Sequence, residues 1–174
     1  MQCVRPDGHI AIRFETTVNS AGETGREARM PGLTVALYHA IVPSESSFER
    51  GLGIATRPEV FEAQIAHLAK NYDVVDLDTV LSGKLPRRPL LITFDDFYAS
   101  VLTFAKSVLK PRGLPSVFFV NPDIVGRDAI GLDNVIAFCV NRFGIKDVCE
   151  AANLGSQSIS SIYDLIEGPI SQMS

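Results

Sequence analysis

The sequence predicts an α/β fold on a parallel sheet, followed by a helical C-terminal segment, and three observations carry that expectation. Short apolar or β-branched runs stand at Leu33–His39, Leu90–Phe94 and Ser116–Val120, the pattern of strands buried on both faces. Stretches with apolar residues at helical spacing lie between them. Strand, helix, strand, helix, strand is the order that parallel sheets and (β/α) barrels produce, with their sites gathered where strands end.

Each element has its own signal. Residues 1–31 mix Gly, Thr, Asn, Ser, Glu and Arg without sustained periodicity, so a disordered N-terminal arm is expected there. Leu33–His39 suits a buried strand ending in a polar residue, and a loop rich in Pro, Ser and Gly runs from Val42 to Ala55. Thr56 as a cap, Pro58 in the first turn and Glu59 completing a capping box start a helix. Its apolar face is Val60, Phe61, Ile65, Leu68 and Ala69, and Asn71 ends it. Tyr72–Leu77 reads as a short strand and Asp78–Leu81 as a helical turn closed by Ser82 and Gly83.

Pro86 and Pro89 bracket the approach to Leu90–Phe94, a continuous apolar strand that delivers Asp95 and Asp96 at its carboxyl end. From Tyr98 to Lys110 a helix repeats Val101, Phe104, Ala105, Val108 and Leu109 on one face, with Gly113 as its stop. Ser116–Val120 is expected as another buried strand. Beyond Asn121 the character turns helical, with one helix marked by Leu132, Val135, Ile136, Cys139 and Val140 and another by Ile159, Ile162, Tyr163 and Ile166.

Composition excludes several functions. The chain has 174 residues, 46% hydrophobic and 21% charged, which suits one globular core. Lys and Arg number 16 against 20 Asp and Glu, a net charge of −4. No basic stripe with interleaved aromatics is present, so nucleic acid is not an expected partner. Apolar runs such as Ser116–Val120 and Val135–Val140 fall far short of the roughly 20 residues of a membrane span, so no membrane partner is expected either. Pro6 and Asp7 interrupt the N-terminus where a secretory leader needs an apolar stretch, which makes a cytoplasmic location the default. Cys3, Cys139 and Cys149 lack C-x-x-C spacing and read as ordinary buried thiols.

Two consecutive carboxylates at the end of a buried strand are costly, because each charge must be solvated, paired or metal-bound. Three readings of Asp95-Asp96 stand open on the residues alone: a metal site, a general acid/base pair, or an N-cap for the following helix. His39 either faces the same pocket as Asp95 or is a structural, hydrogen-bonded histidine. Tyr98 is a candidate pocket residue, although helix-start packing and capping also account for it and for Ser100. His67 reads as a surface residue, and Arg87 and Arg88 as a solvated pair.

The wider string narrows these readings. Ile92-Thr93-Phe94-Asp95-Asp96-Phe97-Tyr98-Ala99-Ser100, then Gly113-Leu114-Pro115-Ser116-Val117-Phe118-Phe119-Val120, resembles the polysaccharide deacetylases, the NodB-homology family. That family's pattern runs T-F-D-D-G-Y, a helix, a Gly-x-Pro-Ala-Thr turn and F-F-V. The resemblance spans about half of the chain, from Leu33 to Val120. It implies metal-dependent removal of acetyl groups from N-acetylated oligo- or polysaccharides on a distorted (β/α) barrel.

Carried onto this sequence, the resemblance implies that Asp95 is the general base that takes a proton from the attacking water, and that Asp96 is a ligand of a divalent metal, usually zinc. An amide carbonyl is a poor electrophile, so a metal polarises it while a separate carboxylate accepts the proton. Two departures stand out. Phe97 occupies the family's Gly position, where a large side chain would demand a different backbone angle or block the pocket. The family's later His-x-x-x-His motif is absent, because the histidines are His9, His39 and His67, all before the acid pair.

The expectation is therefore an incomplete distorted barrel of the polysaccharide deacetylase type: an arm over 1–31, a partial domain over 32–130 and a helical, insertion-like segment over 131–174. The chain is expected to be an amino-terminal part of a longer deacetylase, active only if the histidines are supplied by a continuing reading frame or a second chain. Unpaired strand edges point to self-association or a complementing chain as partner. A non-catalytic remnant or carbohydrate-binding module is the alternative.

Overall fold

The computed structural model describes residues 12–13, 32–96, 98–127, 129–154, 159 and 161–166. The chain divides into two compact units, one from residues up to Ile41 with Thr56–Val120, the other from Val42–Ala55 with the segment from Asn121 onward.

The first unit is a mixed α/β unit. Its elements are β1 (Ile12–Arg13), β2 (Thr34–Tyr38), β3 (Ala40–Ile41), the Thr56 half of β4 (Ala55–Thr56), α1 (Pro58–Asn71), β5 (Asp73–Val74), α2 (Leu77–Leu81), β6 (Pro89–Phe94), α3 (Ala99–Phe104) and β7 (Val117–Phe118). β6 is the centre of the sheet. β2 pairs with it in parallel from Thr34↔Leu90 to Tyr38↔Phe94. On the opposite edge β5 pairs with its start, Asp73↔Pro89 and Val74↔Leu90, and β7 with its end, Thr93↔Val117 and Phe94↔Phe118, both parallel. β1 adds an antiparallel edge against Thr34 and Val35, so two residues of the expected arm are strand and the remainder of 1–31 up to Pro31 lies outside the described residues.

Every residue of β6 is buried, as a strand flanked on both edges requires. Leu90, Ile92 and Phe94 point to the face that meets Phe61 and Ile65 of α1 and Val101 of α3. Each such side chain contributes roughly 1.5–3 kcal/mol by leaving water. The rings lock together: Phe61 meets Tyr38 edge-on at 4.9 Å, and Phe94 stacks on Phe118 at 4.9 Å. Tyr38, whose phenol donates to Gln64 Oε1 at 3.0 Å, has its pKa pushed up by burial.

Several boundaries differ from the sequence expectation. α1 starts with Arg57 at the cap position and no side-chain cap bond, because Thr56 is already committed to β4. The strand expected over Tyr72–Leu77 shortens to β5, since Asp76 caps α2 by accepting the Thr79 N–H at 2.8 Å. Ser116–Val120 is not a buried strand. Only Val117 and Phe118 pair, and Phe119 and Val120 are 55% and 44% exposed.

The helix after the acid pair continues past α3 as a wide π turn, Ala105–Leu109, and a 3₁₀ turn, Lys110–Arg112. Pro111 accounts for the change: it has no N–H to donate, and its ring would strike the carbonyl four residues earlier in a regular helix. Gly113, at φ +63°, then closes the element in the left-handed region.

The second unit is helical: α4 (Leu132–Phe143), α5 (Ile145–Ala151) and α6 (Ile162–Leu165). Ile136, Ala137, Ile162 and Leu165 form its core with Leu52 of the 42–55 loop. α4 holds that loop by hydrogen bonds. Asn134 Nδ2 donates to the Phe48 carbonyl at 2.9 Å, and Asn141 Nδ2 to the carbonyls of Arg50 and Ala137 at 2.8 Å and of Ser47 at 3.2 Å. Phe48 stacks on Phe138 at 4.6 Å. α5 has no counterpart in the sequence reading, and Cys139 and Cys149 are free thiols, half-buried. Among the described residues no helix is long and apolar enough to cross a membrane.

Candidate functional site

β2, β6 and β7 run in the same direction and end together at Tyr38, Phe94 and Phe118. One bond further, the Asp95 N–H donates to the Tyr38 carbonyl at 2.9 Å and the Phe119 N–H to the Phe94 carbonyl at 2.8 Å. This is the carboxyl rim of a parallel sheet, where main-chain pairing gives out and polar side chains can meet a ligand.

Strand periodicity assigns the faces. Tyr38 and Phe94 are register partners in the helix-side core, so Leu37 and Thr93 face the other way. Thr93 is buried there and its hydroxyl donates to the Ala36 carbonyl at 3.4 Å. The next residues along, His39 and Asp95, fall on that second face by the period of two. Both are half-buried, whereas Asp96 is exposed.

The charges of these three groups interact. Asp95 has its pKa raised, chiefly by burial, opposed by His39 and reinforced by the neighbouring Asp96. A carboxylate held this way binds a proton more firmly than an open one, which makes it a stronger base. Asp76, the cap of α2, is the contrast: its hydrogen bonds with Thr79 lower its pKa.

The two acids differ in backbone as well as in burial. Asp96 sits at φ +60°, in the left-handed region that Asp and Asn tolerate better than most side chains. The chain turns sharply there. Phe97, with the expected steric conflict at that position, lies outside the described residues.

The cap position of α3 is Tyr98, whose own side chain makes no cap bond. Tyr98 is half-buried and packs against the first unit's core. Ser100 is no cap either: its hydroxyl oxygen accepts the Ile41 N–H at 3.2 Å. His67 is exposed on α1, away from the buried face of Phe61 and Ile65. Arg88 lies over the Tyr72 ring at 4.9 Å, near the opposite end of β6. Sequence reasoning missed the partner of Ser100 and the left-handed turn at Asp96; an Asp in a tight turn is the single cue to the latter.

Zinc in a catalytic setting takes three protein ligands and a water. Among the described residues no group of three or more His, Cys, Asp or Glu side chains comes together as a metal site. The described residues do not make a zinc centre by themselves. What they make is a half-buried carboxylate beside an exposed one, with a half-buried imidazole across the strand pair.

No protein-family model matches the chain, and no curated protein matches it. Three solved chains do. One is IcaB from Ammonifex degensii, 29% identical, with a TM-score of 0.48; the match covers 64% of this chain and 49% of that one. This chain thus spans about half the length of that structure.

Proposed function

We propose that this chain carries the acid-pair half of a carbohydrate N-deacetylase of the polysaccharide deacetylase type. The observation that supports this most directly is that the two parts of the T-F-D-D and F-F-V string lie on neighbouring parallel strands, with Asp95 and Asp96 following the end of the central one at their common rim. In this reading the sheet is the start of a distorted (β/α) barrel and the substrate is an N-acetylated oligo- or polysaccharide. Asp95 takes the proton of the attacking water, a role its raised pKa suits. Asp96 is the carboxylate offered to a divalent ion, zinc in this reading. Its remaining ligands come from outside the described residues. Tyr98 and His39 line the pocket.

A second reading, a carbohydrate-binding remnant without turnover, draws on the absence of a three-donor group among the described residues. Zinc dialysis against the purified chain and its Asp96→Asn variant separates the two. Asn is the variant of choice because it accepts the backbone angle at that position. Stoichiometric zinc lost in the variant supports the deacetylase. No zinc in either, with saturable binding of a chitin oligomer, supports the remnant.

A further inference from the structure

We infer that Ser100 is a positioning residue for the rim that carries His39, Asp95 and Asp96, an inference that rests on the reading just proposed for that site. Its hydroxyl oxygen accepts the Ile41 N–H at 3.2 Å across 59 positions of sequence. Ile41 is 1% exposed, and a buried N–H needs an acceptor. Here the acceptor is a side chain on a helix.

The place of that bond gives it a second role. The two strands are tied main chain to main chain as far as Asp95 N–H to Tyr38 carbonyl. Past that bond β2 runs on through His39 into β3, and β6 runs into the left-handed turn at Asp96. Ser100, in the first turn of α3, ties the two paths again at Ile41, two residues past His39 and four past Asp96. His39 on one path and the acid pair on the other are therefore bracketed between a main-chain bond and a side-chain bond. Their spacing is fixed at both ends.

A hydroxyl on a first helical turn does this with little freedom to err. Serine's oxygen is a single bond beyond Cβ, so its position follows α3, and α3 packs through Val101 into the core that holds Phe94. The rim is thereby referenced to the same core as the strands that carry it. A side chain without an oxygen at position 100 leaves α3 in place and the bracket open.

The test uses the full chain, labelled with nitrogen-15 and free of metal, as wild type, Ser100→Ala and Ser100→Thr. Expected for Ser100→Ala are amide exchange at Ile41 faster by roughly tenfold and displaced amide resonances at His39, Asp95 and Asp96. Leu90 and Leu91, at the far end of β6, stay at their wild-type positions. Ser100→Thr keeps the oxygen and restores both readouts. Rim resonances unmoved in Ser100→Ala overturn the inference and reduce the bond to satisfying one buried N–H; failure of Ser100→Thr to restore them overturns it too. If Ser100→Ala does not fold, Ser100→Cys, a weaker acceptor, is expected to move the same rim resonances part of the way, and their staying put is the refuting result. Zinc dialysis with Asp96→Asn reports on the deacetylase reading alone, so the two can fail separately.

Discussion

The Asp95 N–H donates to the Tyr38 carbonyl at 2.9 Å, one residue beyond the last paired positions of β6 and β2. That bond extends the sheet just far enough to bring an acid and His39 onto one face. A one-residue slip between the strands would turn both away. The candidate site is thus a consequence of register, and register here is set by the buried pairs Ala36–Ile92 and Tyr38–Phe94.

Removing the charge of Asp95 should stabilise the chain at neutral pH. Its folded pKa lies above the ordinary value of 3.8, so between those two values the folded state binds more protons and stability falls as pH rises; the penalty stays in full above the window. Asp95→Asn is expected to melt higher than wild type at neutral pH, with the gap closing as the medium is acidified below 3.8. A wild type that melts higher at neutral pH would show that the ionised Asp95 is net stabilising.

At Asp96 the backbone decides the ranking of substitutions. Since φ is +60° there, Asp96→Gly should gain about 0.5–1 kcal/mol by removing a Cβ from the left-handed region, and Asp96→Ala should lose about 1 kcal/mol, because it keeps the Cβ but not the short polar side chain that makes Asp tolerant of that angle. Urea titrations of both variants check the order.

Gly51 and Gly53 make a matched pair. Both have positive φ, but a Cβ at Gly51 would stand 2.7 Å from Ile162 Cδ1, whereas at Gly53 it would meet nothing within 4 Å. Gly53→Ala should cost about 1–2 kcal/mol from the backbone angle alone, and Gly51→Ala about 1–3 kcal/mol more from the forced repacking of Ile162. Equal losses in thermal melts would mean that Ile162 moves aside freely.

Asn141 offers two amide protons to three carbonyls, those of Ser47, Arg50 and Ala137. Asn141→Asp puts a carboxylate oxygen where that donor stood, against the same carbonyls, and should weaken the hold on the loop by about 1–3 kcal/mol. Trypsin cleavage after Arg50 is the readout, expected to quicken by roughly tenfold or more. Unchanged cleavage would assign the loop's order to the Phe48–Phe138 stack instead.

The parts legible in the sequence are those where one physical requirement dominates. Leu90–Phe94 had to be a central strand because a run apolar on both sides fits nothing else of that length, and the acids at its end followed. α1 was legible from Phe61 and Ile65, but its cap was not, because Thr56 offers a cap hydroxyl and a strand backbone equally well. Phe119 and Val120 look like core and are exposed because their strand stands at an edge of β6 and pairs over two residues only. α5 escaped because Gly144 cuts its apolar positions off from those of α4. Ser100 was invisible as anything but a helix-start residue, since its partner lies 59 positions away.

Asn134 fastens a loop that precedes it by 86 positions. During synthesis on the ribosome, the 42–55 segment is therefore made long before α4 exists to receive it. For that interval its Phe48 and Leu52 have no helix to bury against, while β2 and β6 can already begin to pair. The nascent chain is expected to be most open to chaperones and proteases at this loop, with protection arriving only once α4 has been translated.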